Sequence, residues 1–169
     1  MLFYTVPYLF FFLPVTLLLF FMGAYFKIDR KIILILVSIF FYSWWNIYYL
    51  PVILFSIIIN YYFYKKLVSR ELNKKKTLLK GIALNVLVLI IFKYTDFIIE
   101  NINLVFSTSI SPLNLPFPLA ISFYTFQTIA FLINVYDEDI LDVKMKDFFL
   151  FVIFFPQLIA GPIVKYNNM

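Results

Sequence analysis

The sequence predicts an all-α, polytopic transmembrane helical protein, and three observations carry that expectation. Apolar residues make up 64% of the chain and charged residues only 14%. Uncharged runs long enough to cross a bilayer follow one another from the first residues, and the charges collect in short segments between them. A soluble domain carries roughly 45–50% apolar and about 25% charged residues, so lipid is the main solvent here. About six membrane segments are expected, at about 2–26, 32–48, 51–66, 81–106, 117–136 and 148–164, so that one transmembrane region fills residues 1–169.

Leu2 to Phe26 carries no charge over 25 residues. As a helix it measures about 37 Å against a hydrocarbon core of about 30 Å, enough for one tilted span. A cleaved signal peptide would need a basic segment before the run and an apolar core of roughly 7–15 residues, and neither is present. Pro7 and Pro14 delay the regular helix to near Pro14. The next uncharged run, Ile32 to Tyr64, has 33 residues, too many for one span and few for two. Trp44, Trp45, Asn46, Tyr48, Tyr49 and Pro51 sit in its middle, an interfacial cluster with a break at the proline, so two short helices meet there at the outer surface.

Lys65 to Lys80 reads as the clearest loop. Lys65, Lys66, Arg70, Lys74, Lys75, Lys76 and Lys80 stand against Glu71 alone, which places it in the cytoplasm by the positive-inside rule. The basic turn at Lys27, Asp29, Arg30 and Lys31 is two spans away and falls on the same side. The N-terminus is then outside a multi-pass protein of the cell (inner or plasma) membrane. Ile82 to Phe106 forms the fourth span and Ser107 to Pro116 an outer loop. The fifth span ends at Tyr136. Asp137, Glu138, Asp139 and Asp142 mix with Lys144 and Lys146 in a loop that the span count alone places inside. Phe148 to Ala160 is a sixth apolar run, closed by Gly161 and Pro162.

The composition excludes much chemistry. Without cysteine there is no disulfide, thiolate nucleophile or Cys-ligated metal, and without histidine there is no imidazole base or ligand, so no metal site is expected. The net charge of +5 sits beside apolar runs and reads as membrane orientation, with lipid and not nucleic acid as the partner. No internal repeat, phosphate-binding Gly-rich loop, G-x-S-x-G elbow or pair of catalytic carboxylates is present.

Several residues stand out against this background. Lys93, Asp96 and Glu100 share a helix face, either at an interface or toward a polar interior where they pair; the reach of a snorkelling Lys favours the interface. Tyr124, Gln127 and Asn134 fall within one arc and face other helices. They serve either as hydrogen-bonding contacts between helices, the more economical role, or as the lining of a substrate path. Pro118, Pro156, Gly161 and Pro162 are helix breaks. A break inside a bilayer is tolerated only where the freed backbone is buried in protein or faces water, which argues for surroundings larger than a hairpin, unless the helix simply ends at the membrane surface.

Five segments together resemble the membrane-bound O-acyltransferase (MBOAT) family, in its branch of alginate O-acetyltransferases and D-alanyl-lipoteichoic acid transferases. They are Phe41-Tyr42-Ser43-Trp44-Trp45, Phe92-Lys93-Tyr94 with Phe97, Pro118 through Gln127 (PLAISFYTFQ), Asn134-Val135-Tyr136, and Phe154 through Val164 (FFPQLIAGPIV). The last long block at this distance from ISFYTFQ is the specific part. Ala120 stands where that family usually has Gly, and Asn134 where Asp is common.

The resemblance implies the N-terminal part of a many-helix enzyme moving an acyl group from a cytoplasmic thioester donor, acetyl-CoA or an acyl carrier protein, to a hydroxyl of an extracytoplasmic polysaccharide or envelope acceptor. No cofactor is bound covalently. The implied partners are the remaining C-terminal part of the enzyme, an acyl carrier protein and an extracytoplasmic acyltransferase partner. The family's base is a histidine in a later helix, and nothing here matches that region. The chain is therefore expected to be a fragment (truncated, frameshifted or half of a split enzyme) with no catalytic residue of its own, inactive alone. The competing expectation is a small non-enzymatic membrane protein, a transporter or channel subunit or an assembly factor.

Overall fold

In the computed structural model, residues 5–69, 73–115, 117–137, 142–161 and 166 are described, apart from the side chains of Trp45, Ile159 and Ala160. Among them the chain is helical and contains no strand. A π-helical turn, Tyr8–Phe12, leads without a break into α1, Leu13–Tyr25, and Pro14, which has no N–H to give the preceding turn, stands just after the π turn. Asp29 caps α2, Arg30–Trp45, by accepting from the Lys31 N–H at 2.9 Å. Asn46 repeats the device at the next corner, accepting from Tyr48 N–H at 2.9 Å to open a 3-10 turn, Ile47–Tyr49. Pro51 then sits in the first turn of α3, Leu50–Val68.

The fourth helix is longer than expected. α4 runs Lys74–Phe106, 33 residues, so Lys74 to Lys80 are helical and the basic loop contracts toward Ser69 and Asn73. At ~1.5 Å per residue it is about 50 Å long. It ends at Ser107 in the left-handed conformation, φ 51°. The connection then runs back along α4: Asn103 accepts from Ile110 N–H and Thr108 Oγ1, and Asp96 accepts from Leu113 N–H at 2.8 Å. α5, Ile121–Tyr136, follows Ala120, which is also left-handed at φ 58°.

The sixth apolar run is where the sequence reading needs correction. It is divided into α6, Met145–Ile153, and α7, Phe155–Ala160, with Phe154 at ψ 108° between them. The nine residues of α6 reach about 14 Å, half of a bilayer core. Among the described residues, α1 with its π turn, α3 with its 3-10 turn, and α4 are long and apolar enough by themselves to cross a membrane, and Ile121–Tyr136 is a shorter apolar helix. Pro162 and residues 163–164 of that run lie outside the described residues, as do Met1 to Tyr4, Arg70, Glu71, Pro116, Glu138 and Asp139.

Two apolar clusters hold the bundle. α3, α4, α5 and α6 close around Ile53, Ile57, Tyr64, Phe131, Leu132 and Phe148, all at most 2% exposed. The start of α1 packs on α2 and α7 through Phe12, Phe41 and Phe155, with ring centroids 5.1–5.4 Å apart. Gly81 lets α4 approach closely: a Cβ there would lie 2.9 Å from Leu132 Cδ1 and 3.3 Å from the Phe63 ring.

Contacts also sort the connections by end. Lys31 bonds Asp147 at 2.6 Å and Lys146 bonds Asp29, joining the α1–α2 turn to the start of α6. Tyr61 Oη donates to the Val143 carbonyl at 3.2 Å, and Val143 N–H donates to Tyr64 Oη at 2.8 Å, beside Lys65. The segments at 27–31, 65–80 and 142–147 therefore share one end of the bundle. At the other end, Tyr42 Oη donates to the Leu119 carbonyl and Tyr49 packs on Phe92.

Candidate functional site

The polar side chains of the interior converge on α5. At its centre, Asn60 of α3 and Asn85 of α4 exchange amide hydrogen bonds, Asn85 Nδ2 to Asn60 Oδ1 at 2.7 Å and Asn60 Nδ2 to Asn85 Oδ1 at 3.1 Å. Thr128 Oγ1 reaches Asn85 Oδ1 at 3.2 Å and the Tyr124 carbonyl at 2.8 Å, its single proton serving one acceptor at a time. Surplus donors return to the helices themselves, Asn60 to Ser56 O and Asn85 to Gly81 O. This ties three helices at points where Asn60 and Thr128 are fully buried. None of these residues was singled out from the sequence, although a lone Asn inside an uncharged run is the signal that could have found them.

The second centre is the α6–α7 break. In an unbroken helix the Phe155 N–H would bond the Phe151 carbonyl. Here Phe155 N–H donates to Ser38 Oγ of α2 at 3.3 Å, and the Phe151 carbonyl accepts from Gln127 Nε2 of α5 at 3.0 Å. The bond missing between Phe155 and Phe151 is thus replaced by two side-chain bonds from two helices, as backbone buried in protein at membrane depth requires. Ser38 lies midway along α2, so the break sits near the middle of the bundle's height. Pro156 follows in the first turn of α7, and Gly161 caps its end, where a Cβ would lie 2.8 Å from Gln157 Cα.

The sequence-derived candidates fare differently. Tyr124 is fully buried and Gln127 is 1% exposed, whereas Asn134 is half-buried and makes no hydrogen bond among the described residues. The Tyr124 hydroxyl lies beside that of Tyr42 without a bond of good geometry, and Gln127 Oε1 is likewise unpartnered. Lys93 is exposed, with its ammonium 5.4 Å from the Tyr94 ring centre, and Asp96 holds the Leu113 N–H. Neither joins the interior cluster. Because neighbouring Phe92 packs on Tyr49 at the corner between α2 and α3, both belong to that level. Pro118 is buried ahead of α5, its carbonyl accepting from Ile121 N–H at 3.3 Å. Pro162 lies outside the described residues.

At the end that carries the 27–31 turn, the Lys146 hydrogen bond, followed by that of the Lys31 N–H, holds the Asp29 carboxyl below its usual range, and the same Asp29 contact raises Lys146. A cavity of about 580 Å³ between α1 and α2 is lined by apolar groups such as Phe11, Phe40 and Trp44 and takes no residue from α5 or α6. The interior site therefore offers hydrogen bonds and no proton-taking group: tyrosine, glutamine, asparagine and threonine can hold and orient a hydroxyl but not deprotonate it.

A helical membrane bundle with a polar fifth helix and a broken sixth is the class of protein that these features define. Comparison narrows it: the chain is related to membrane-bound O-acyltransferases, as its motifs suggested. It is 40% identical to a peptidoglycan O-acetyltransferase of Helicobacter pylori across 57% of this chain and 23% of that protein. Probable alginate O-acetylases AlgI of Pseudomonas aeruginosa and Azotobacter vinelandii are 35% and 32% identical, across 56% and 59% of this chain and 19% and 21% of theirs. The match thus spans about a fifth of the length of these relatives. No family model matches the chain, and no solved structure does.

Proposed function

We propose that these 169 residues form part of the wall of a membrane-embedded O-acetyltransferase that carries an acetyl group from a cytoplasmic thioester to a hydroxyl of an extracytoplasmic cell-envelope polysaccharide. The reading rests on one observation above the others: the relatives at 32–40% identity are named as O-acetyl-transferring enzymes of peptidoglycan or alginate. Orientation follows the charges. The end bearing Lys31, Lys65 and Lys146 faces the cytoplasm of the inner membrane, and the Tyr42–Leu119 end faces outward with the N-terminus.

In this reading α5 supplies binding and orientation, while the base comes from further polypeptide, since the chain has no histidine. A cytoplasmic acyl carrier protein or acetyl-CoA would supply the group, and an extracytoplasmic acyltransferase partner would help receive it. The test is acetyl transfer in membranes. Protein containing this chain with its flanking polypeptide should move label from acetyl-CoA onto envelope glycan, and the 169-residue chain alone should not. Transfer by the isolated chain would refute the division of labour; absence of transfer by the longer protein would refute the activity. The rival reading, a non-enzymatic membrane subunit, gains from the internally satisfied Asn60–Asn85–Thr128 cluster and predicts a chain that folds stably by itself.

A further inference from the structure

The α6–α7 break carries acceptors in excess of donors. Gln127 Oε1 is buried with no hydrogen-bond partner among the described residues, and its orientation is fixed, because the amide nitrogen must face the Phe151 carbonyl it bonds. Two backbone carbonyls that follow Phe151 in the chain lose their helical donors. Pro156 has no N–H to give Val152, and the Gln157 N–H turns to the Phe154 carbonyl at 3.0 Å instead of to Ile153. The C-terminal end of α6 adds partial negative charge to the same place. These groups accept, and they outnumber the Ser38 hydroxyl proton that the break also holds.

From this arrangement we infer that the break is a binding site for one neutral O–H group, held by Gln127 Oε1 together with the carbonyl of Val152 or Ile153. Leaving a buried acceptor unsatisfied is unfavourable, because it has given up its hydrogen bonds to water. An anion is repelled by the acceptors, and a cation would pay a larger desolvation penalty in this apolar setting. A neutral hydroxyl donates a proton without bringing a charge. Its source is either water or an alcohol; the alcohol case rests on the acetyl-transfer reading, whereas the water case stands without it.

The test is a density map of the protein with its flanking polypeptide in lipid nanodiscs, sharp enough to show ordered water, recorded with and without a peptidoglycan disaccharide. Isolated density within hydrogen-bond reach of Gln127 Oε1 in the unsupplemented sample supports the site with water as occupant. Density that arises only with the disaccharide and is continuous with it supports the site with an alcohol. A protein side chain donating to Gln127 Oε1, or dry apolar packing against it, overturns the proposal. Gln127→Glu, protonated at this depth, keeps an O–H for Phe151 and a carbonyl for the ligand and should retain the density, so loss there also overturns it. Gln127→Met should abolish the density.

Discussion

Ala120 illustrates what one methyl group can cost. The position is left-handed, φ 58°, where an L side chain crowds its own backbone and Gly is at ease. Ala120→Gly is therefore expected to stabilise the protein by about 1 kcal/mol, read as a higher thermal midpoint in detergent. The sequence marked the residue as unusual for its motif, and the backbone supplies the reason. Ser38 is the opposite case, ordinary in sequence and decisive in place. Ser38→Ala leaves the buried Phe155 N–H without its acceptor and should destabilise by about 1–3 kcal/mol, with Ser38→Thr restoring most of the loss. Stability that is unchanged in Ser38→Ala would mean the bond contributes nothing.

Helix against helix, the Asn60–Asn85 pair is the unit to break. Either Asn→Leu change alone strands the partner's buried amide, whereas the double change strands neither, so the double variant should lose less than the sum of the singles. Additive losses in that double-mutant cycle would sink the pairing. The inner clamp has a pH window of its own. Asp29 is depressed, so its contribution is present above its ordinary value, about 3.9, and is lost as pH falls through the lower folded value. Lys146 is raised, so its contribution holds below about 10.4 and goes as pH rises through the higher one. Protection of the amides at residues 27–31, the exchange rate relative to the intrinsic rate at each pH, should hold between these limits and fall beyond either, with salt weakening the contrast because the groups are exposed. Helix starts were legible in the residues at Asp29, Asn46 and Pro51, which act within a turn of where they stand, but not at Pro14, since the helix already runs from Val6 through a π turn. The division at Phe154 was not, because Pro156 announces a break but not its place. The partners that make it tolerable, Ser38 and Gln127, are distant in sequence and chosen by tertiary packing.

For the bundle as a whole, the shared end of 27–31, 65–80 and 142–147 converts a charge count into geometry. The fold ties the acidic connection near Asp142 to Lys31 and Tyr64, support that composition could not give. With no native cysteine to confuse the result, single cysteines at Ser69 and Asp142 should react with an impermeant reagent from one side of the membrane and one at Ser109 from the other. Ser69 and Asp142 reacting from opposite sides would break the arrangement. The transferred bond at Phe151 and Phe155 also bears on biogenesis. Peptide groups without partners are each several kcal/mol unfavourable in hydrocarbon. A bent segment such as 145–160 is thus a poor passenger for lipid on its own, and α2 and α5 must already stand in place to receive it. The order of synthesis, with both receptors made first, is the order in which the membrane can admit the last piece.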